Sequence, residues 1–170
     1  MVQSEGDDRA TGGTHQTKKH HQKGHDVSDN DQDFLARARQ RGSHGRQQED
    51  GVLVIRTIAM PADTNPAGDI FGGWLMSQMD LAAGNMAGRV SQGRGATVAV
   101  EAMQFLHPVK VGDEVTLYAT LKSVGRTSMR IHVDAWARPR DAQSAQKVTD
   151  AEFIFVALDD DGNARPIPRT

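Results

Sequence analysis

GWLMSQMDLAAGNMAGRV, residues 73–90, decides how this chain folds. Its apolar residues recur at helical spacing: Leu75 or Met76, Met79, Ala83, Met86 or Ala87, Val90. The spacing predicts one helix, apolar over much of its surface. Ala82, Ala83, Gly84, Ala87 and Gly88 would let a sheet approach closely. Gly84 and Gly88 each cost about 1 kcal/mol of helix propensity against Ala, so packing must compensate.

Outside this stretch the globular part reads as strand. Val52–Ile58 is rich in β-branched residues, and a turn-rich run from Met60 to Asp69 separates it from the helix. After the helix, Thr97–Leu106 has extended character, and Val109–Asp113 holds a turn. Glu114–Val124 places Val115, Leu117, Ala119 and Leu121 on one face, and Thr127–Ala137 does the same with Met129, Ile131, Val133 and Ala135. Val148–Leu158 is apolar on both faces, the mark of a strand covered on both. One strand, one helix and four strands predict an α+β fold: a helix against a curved antiparallel sheet of about five strands. A meander is the simplest connection for the last four strands. The uncovered sheet face, or an edge, is left to meet another subunit.

Composition shifts sharply near residue 50. Residues 1–50 hold His15, His20, His21, His25 and His44, five of the seven histidines, with few large apolar side chains besides Phe34 and Leu35. Such a segment cannot offset an ordering cost of about 1–2 kcal/mol per residue. It reads as a disordered tail with at most a helical turn across Asp33–Gln40, ahead of a domain over 51–170. His20, His21 and His25 have no scaffold to fix a metal geometry, so a solvated tail is the reading and no metal is expected. A formal charge of -2 over 170 residues gives no reason to expect nucleic acid or an acidic membrane as partner. The chain has no cysteine, which removes disulfides and thiolate chemistry and fits a cytoplasmic location. Its polar start shows no secretory signal, and its apolar runs fall far short of a membrane span.

The chemistry-bearing stretch is DTNPAGDIFGGWLMSQMD, residues 63–80. Asp80 has Met76, Ala83 and Ala87 as helical neighbours, which puts it on or beside a buried stripe. Spacing alone leaves two readings open, a working carboxylate or a solvated one at the rim. Gly72 and Gly73 precede the helix, where the first N–H groups lack intrahelical acceptors and can hold an oxyanion. The same pair also suits a tight turn into the helix. Asn65 has an amide to offer a carbonyl or a water, although Asn before Pro is commonly a turn residue, and chemistry alone favours the turn.

These residues carry a resemblance. AMPADTNPAGDIFGGWLMSQMD (59–80), TVAVEAMQFLHPVKVGD (97–113), VGRTSMRIHVDAWAR (124–138) and VTDAEFIFVALDDDGNARPIPR (148–169) closely resemble hot-dog acyl-CoA thioesterases. The nearest group is the YciA-type bacterial enzymes; the cytosolic acyl-CoA hydrolases of animals are more distant. The resemblance implies a long helix wrapped by a curved antiparallel sheet, sheets joined in dimers, and dimers often gathered into hexamers as trimers of dimers. It implies acyl-CoA as substrate, no cofactor, Asp80 as the catalytic carboxylate, and Asn65 completing the site across the dimer interface. It also matches residues 124–128 to a loop that contacts coenzyme A, which assigns Arg126 to phosphate and Thr127 and Ser128 to its neighbourhood. Thr127 stands where the family often has Ser. Both carry a hydroxyl.

Other polar and aromatic residues have plainer readings. Glu101 is expected to face solvent or make a structural hydrogen bond, and His107 to be a strand-end residue. Trp74 and Trp136 are expected to pack. Two rival functions remain. A non-catalytic acyl-CoA sensor would need an appended regulatory domain. A hot-dog dehydratase would need a histidine near the helix motif, and neither His107 nor His132 lies near it in sequence.

Overall fold

In a computed structural model of the chain, the described residues are Gln32, Asp33, Ala36, Gln47–Gln48 and 51–169. Asp33 and Ala36 are helical, within the turn expected across Asp33–Gln40. The other residues of that span lie outside the described residues, as do His20, His21 and His25. The elements run β1 (Gln47–Gln48), β2 (Gly51–Ile58), α1 (Gly72–Ser91), β3 (Gly95–Phe105), β4 (Glu114–Val124), β5 (Ser128–Arg138) and β6 (Gln146–Ala157). All strand pairs are antiparallel, and the sheet order is β1-β2-β4-β5-β6-β3. Five strands are long, and the two-residue β1 extends the sheet upstream of residue 51.

The meander holds only for β4, β5 and β6. β3 pairs with β6 instead of β4, with Gly95 opposite Ala157 and Phe105 opposite Thr149. The helix explains this. Its 20 residues span about 30 Å, and it packs on all of β2 to β6. It therefore hands the chain to the far edge, and β4–β6 fill the space between β2 and β3.

Each element buries the face its period dictates. On β5, Met129, Ile131, Val133, Ala135 and Ala137 are buried, alternating with half-buried Arg130, His132, Asp134, Trp136 and Arg138. On α1 the buried set is Leu75, Met79, Ala82, Ala83, Met86, Ala87 and Val90 with Ser91. The small residues permit the predicted approach: a Cβ on Gly84 would lie 3.5 Å from the Phe155 ring. β4, not β6, is the strand buried on both faces, because Thr116, Tyr118 and Thr120 are buried opposite Val115, Leu117, Ala119 and Leu121. Ile154 and Val156 on β6 stay half-buried. The C-terminal end of α1 is closed by Gln92 in the left-handed region and by Arg165, whose guanidinium donates to the Ser91 carbonyl at 2.9 Å. A cation there also complements the helix dipole.

β3 is the weakly covered edge. Val98 is 58% exposed, and Val100, Phe105 and Leu106 are exposed as well. Its ladder is broken between Glu101 and Gln104, where Ala102 adopts a φ of 54°.

Candidate active site

Asp80 sits in the middle of α1, half-buried. Thr97 on β3 donates its hydroxyl to Asp80 Oδ1 at 2.5 Å. One carboxylate oxygen is thus fixed by the sheet, and Oδ2 has no hydrogen-bond partner among the described residues. This geometry is not that of a solvated rim residue.

Asn65 lies in the loop that leads to the helix, and it organises that loop. Its Oδ1 accepts from the Ala67 and Asp69 N–H groups at 2.9 and 3.2 Å. Its backbone N–H donates to the Asp69 carbonyl at 2.7 Å. Gly68, at φ +88°, makes the reversal possible. An ion pair of Lys110 with Asp69 ties the loop to the strand side. The turn reading of Asn65 is therefore right, and it does not exclude the other. The turn consumes only the amide oxygen, and Nδ2 donates to no described residue.

Gly72 and Gly73 open the helix. Trp74 and Leu75 both donate to the Phe71 carbonyl, at 2.9 and 3.3 Å, and neither glycine N–H has an intrahelical acceptor. Neither glycine has a positive φ, so space and not backbone freedom is what the pair supplies. A Cβ on Gly73 would meet the Phe71 ring at 2.5 Å, and one on Gly72 the Phe105 ring at 3.3 Å.

Within one chain these groups do not converge. Gly72 and Asp80 are eight residues apart on the helix, a rise of about 12 Å. Attack on a carbonyl needs about 3–3.5 Å between reacting atoms. An oxygen held by the glycine N–H groups is out of reach of the same chain's Asp80. No described contact joins Asn65 to Asp80 either.

The 125–128 turn links β4 to β5. Its backbone is pinned at three points: Gly125 N–H to the Ser128 carbonyl, Ala157 N–H to the Thr127 carbonyl and Ile167 N–H to the Arg126 carbonyl, each at 2.8 Å. The Arg126 residue is exposed and forms no ion pair among the described residues. The register aligns Met129, Phe155 and Thr97 across three strands. At about 4.8 Å per strand, this turn belongs to the same end of the sheet as Asp80 and Thr97. Asn65, Gly72 and Gly73 belong with Phe105 at the other end.

Several other polar residues tie strands together. Glu101 binds Arg130 at 2.5 Å, and Arg130 also binds Glu152 at 2.6 Å, which ties β3 to β5 across β6. Burial pushes the Asp134 carboxyl up, but His132 and Lys147 more than offset that and hold it at about 2. His132, Asp134 and Asp150 have metal-ligand spacing among the described residues, yet the Lys147 ammonium already bridges the two carboxylates at 2.7 and 2.5 Å. Trp74 packs against the core as expected. His107 is exposed at the end of β3 as expected, but it borders the same cavity as Gly72, closer to the helix motif than its sequence position suggested.

A thioesterase superfamily model matches residues 67–142. The acyl-CoA thioester hydrolase YciA of Salmonella typhimurium is 50% identical over 121 residues, covering 69% of this chain and 91% of that protein. The chain belongs to the thioesterase superfamily, among its acyl-CoA thioester hydrolases. A solved hexameric thioesterase from Yersinia pestis has a TM-score of 0.68 at 48% identity, over 71% of this chain and 98% of that one. A hexameric hot-dog-fold thioesterase of Campylobacter jejuni has a TM-score of 0.67 at 38% identity, over 71% and 93%. The fold is thus the hot dog that the sequence implied. Sequence reasoning missed Thr97. A hydroxyl on a strand carries no periodic signal, and only the α1–β3 packing places it on Asp80.

Proposed function

We propose that residues 51–170 form a domain that hydrolyses acyl-CoA thioesters to a carboxylic acid and coenzyme A. The observation that carries this is the half-buried Asp80 carboxylate, steadied by Thr97 on one oxygen and without a partner on the other among the described residues. In this reading Asp80 Oδ2 removes a proton from water as the oxygen attacks the carbonyl, or attacks the carbonyl itself to give a mixed anhydride that water then opens. The Gly72 and Gly73 N–H groups hold the oxyanion, and Asn65 Nδ2 donates to the carbonyl or to the water. The C–S bond breaks, and the coenzyme A thiolate leaves and takes up a proton.

The roughly 12 Å along one helix argues for sites shared between two chains, with Asn65, Gly72 and Gly73 from one and Asp80 and Thr97 from its partner. The exposed apolar edge of β3 suits the joining of two sheets in such a dimer. A trimer of dimers is the assembly we propose, in keeping with the hexameric relatives. No described helix is long and apolar enough to cross a membrane. A cytoplasmic location is our assignment from the cysteine-free composition.

Release of free thiol from acyl-CoA by the full chain tests the activity. A dehydratase leaves the thioester intact and releases none, as does a sensor. Arg126→Ala is expected to raise KM for acyl-CoA with a smaller change in kcat, because its planar fork would grip nucleotide phosphate and not the reacting carbonyl. An acyl-pantetheine, which lacks the nucleotide, should be turned over almost as by wild type. Equal losses on both substrates would remove Arg126 from the nucleotide site.

A further inference from the structure

A cavity of about 330 Å³ opens beside Gly72, walled by Ile70, Leu75, Phe105, Leu106, Pro108 and Val109, with His107 also on its lining. We infer that it receives the acyl chain of the substrate, and that the Phe105 ring is the wall that sets which chain lengths fit. The inference rests on the reading that the Gly72 and Gly73 N–H groups hold the thioester oxygen.

A carbonyl held there has two arms, the acyl carbon and the sulfur that leads to pantetheine. Only one can enter the cavity. Pantetheine carries two amides, and a buried amide without a partner is strongly disfavoured. Of the side chains that line the cavity, only that of His107 carries a hydrogen-bonding group, too few for two amides, and the rest are apolar. Two of its backbone polar groups are already engaged: Ile70 N–H donates to the Val109 carbonyl at 3.1 Å, and Leu106 N–H to the Val148 carbonyl at 2.8 Å. A hydrocarbon chain needs no such partners and gains from leaving water. The phosphate-binding candidate, Arg126, lies at the other end of the sheet. Thr97, at that end, is eight residues from Phe105 along β3, and Asp80, to which it donates, lies about 12 Å along the helix from Gly72. The acyl arm therefore belongs to the subunit that supplies Gly72 and Gly73, and the coenzyme A arm to the subunit that supplies Asp80.

Phe105 is placed to set the length. Ile70, Leu75 and Val109 are buried in the core cluster, whereas Phe105, at the end of the edge strand, is 53% exposed in the single chain and belongs to no core cluster. Its ring reaches the helix start, 3.3 Å from a Cβ on Gly72. Shortening it enlarges the cavity without opening the core.

The test is the profile of kcat/KM across straight-chain substrates from acetyl-CoA to palmitoyl-CoA for the full chain and for Phe105→Ala, Phe105→Leu and Phe105→Trp. In Phe105→Ala the ratio of long-chain to short-chain kcat/KM should rise about 10-fold or more, the discrimination that a methylene or two commands in an apolar pocket. Phe105→Leu should fall between it and wild type, and Phe105→Trp should move the ratio the other way. A ratio taken within one variant does not depend on how much of it folds. Unchanged ratios in all three variants, or Ala and Trp moving them in the same direction, would overturn the cavity assignment while wild-type hydrolysis still stood. A wild-type chain that releases no thiol from any of these substrates overturns the hydrolase reading and this inference with it.

Discussion

Asp80→Asn is expected to lower kcat for acyl-CoA by at least about 10²-fold, the lower end for removal of a general base, with the fold unchanged. The amide keeps the shape of the carboxylate, and its oxygen can still accept from the Thr97 hydroxyl. It cannot take a proton from water at neutral pH, and it is a poor nucleophile toward a thioester. Near-normal turnover would remove Asp80 from the chemistry. Thr97→Val separates positioning from chemistry. It deletes the hydrogen bond that fixes Asp80 Oδ1 among the described residues and keeps the β-branched shape of the strand residue. Thr97→Val should lose kcat by roughly 10-fold, about 1.4 kcal/mol for a charge-assisted bond, with KM little changed. Thr97→Ser retains the hydroxyl and should recover most of the loss. If Thr97→Ser is as impaired as Thr97→Val, the hydroxyl is not what matters at this position.

Much of the fold was legible because it rests on period. The stripe from Leu75 to Val90 and the alternation of β4 and β5 name the faces that the structure buries. Strand order was not legible, since periodicity fixes a strand's faces and not its neighbours. The placement of β3 beside β6 depends on where a helix about 30 Å long delivers the chain. The site divides in the same way. Asp80 could be singled out as a carboxylate on an apolar stripe, and Gly72 and Gly73 as unpaired donors at a helix start. Thr97 and Phe105 could not, because each is brought to the candidate site by a contact between elements distant in sequence. Asn65 shows why a turn role need not exclude another: its oxygen shapes the loop, and its Nδ2 donates to no described residue.

Mixing two inactive variants is expected to restore activity. Asn65→Ala and Asp80→Ala should each be nearly dead as homodimers, because every site then carries one lesion. The helix geometry leads us to place the Asn65 of one chain opposite the Asp80 of its partner. In a two-fold dimer each chain gives one residue to each of two sites. A dimer of one variant with the other puts both lesions in one site and leaves the second site whole. Unfolding the two proteins together and refolding them should give about half of wild-type activity per mixed dimer, or about a quarter over all dimers when pairing is random. Gathering dimers into a hexamer leaves this arithmetic unchanged, provided that sites form within dimers. If Asn65 and Asp80 served one site from one chain, every site in every mixture would keep a lesion. Mixed dimers verified by mass and found inactive would then reject the shared site, without touching the assignment of Asp80.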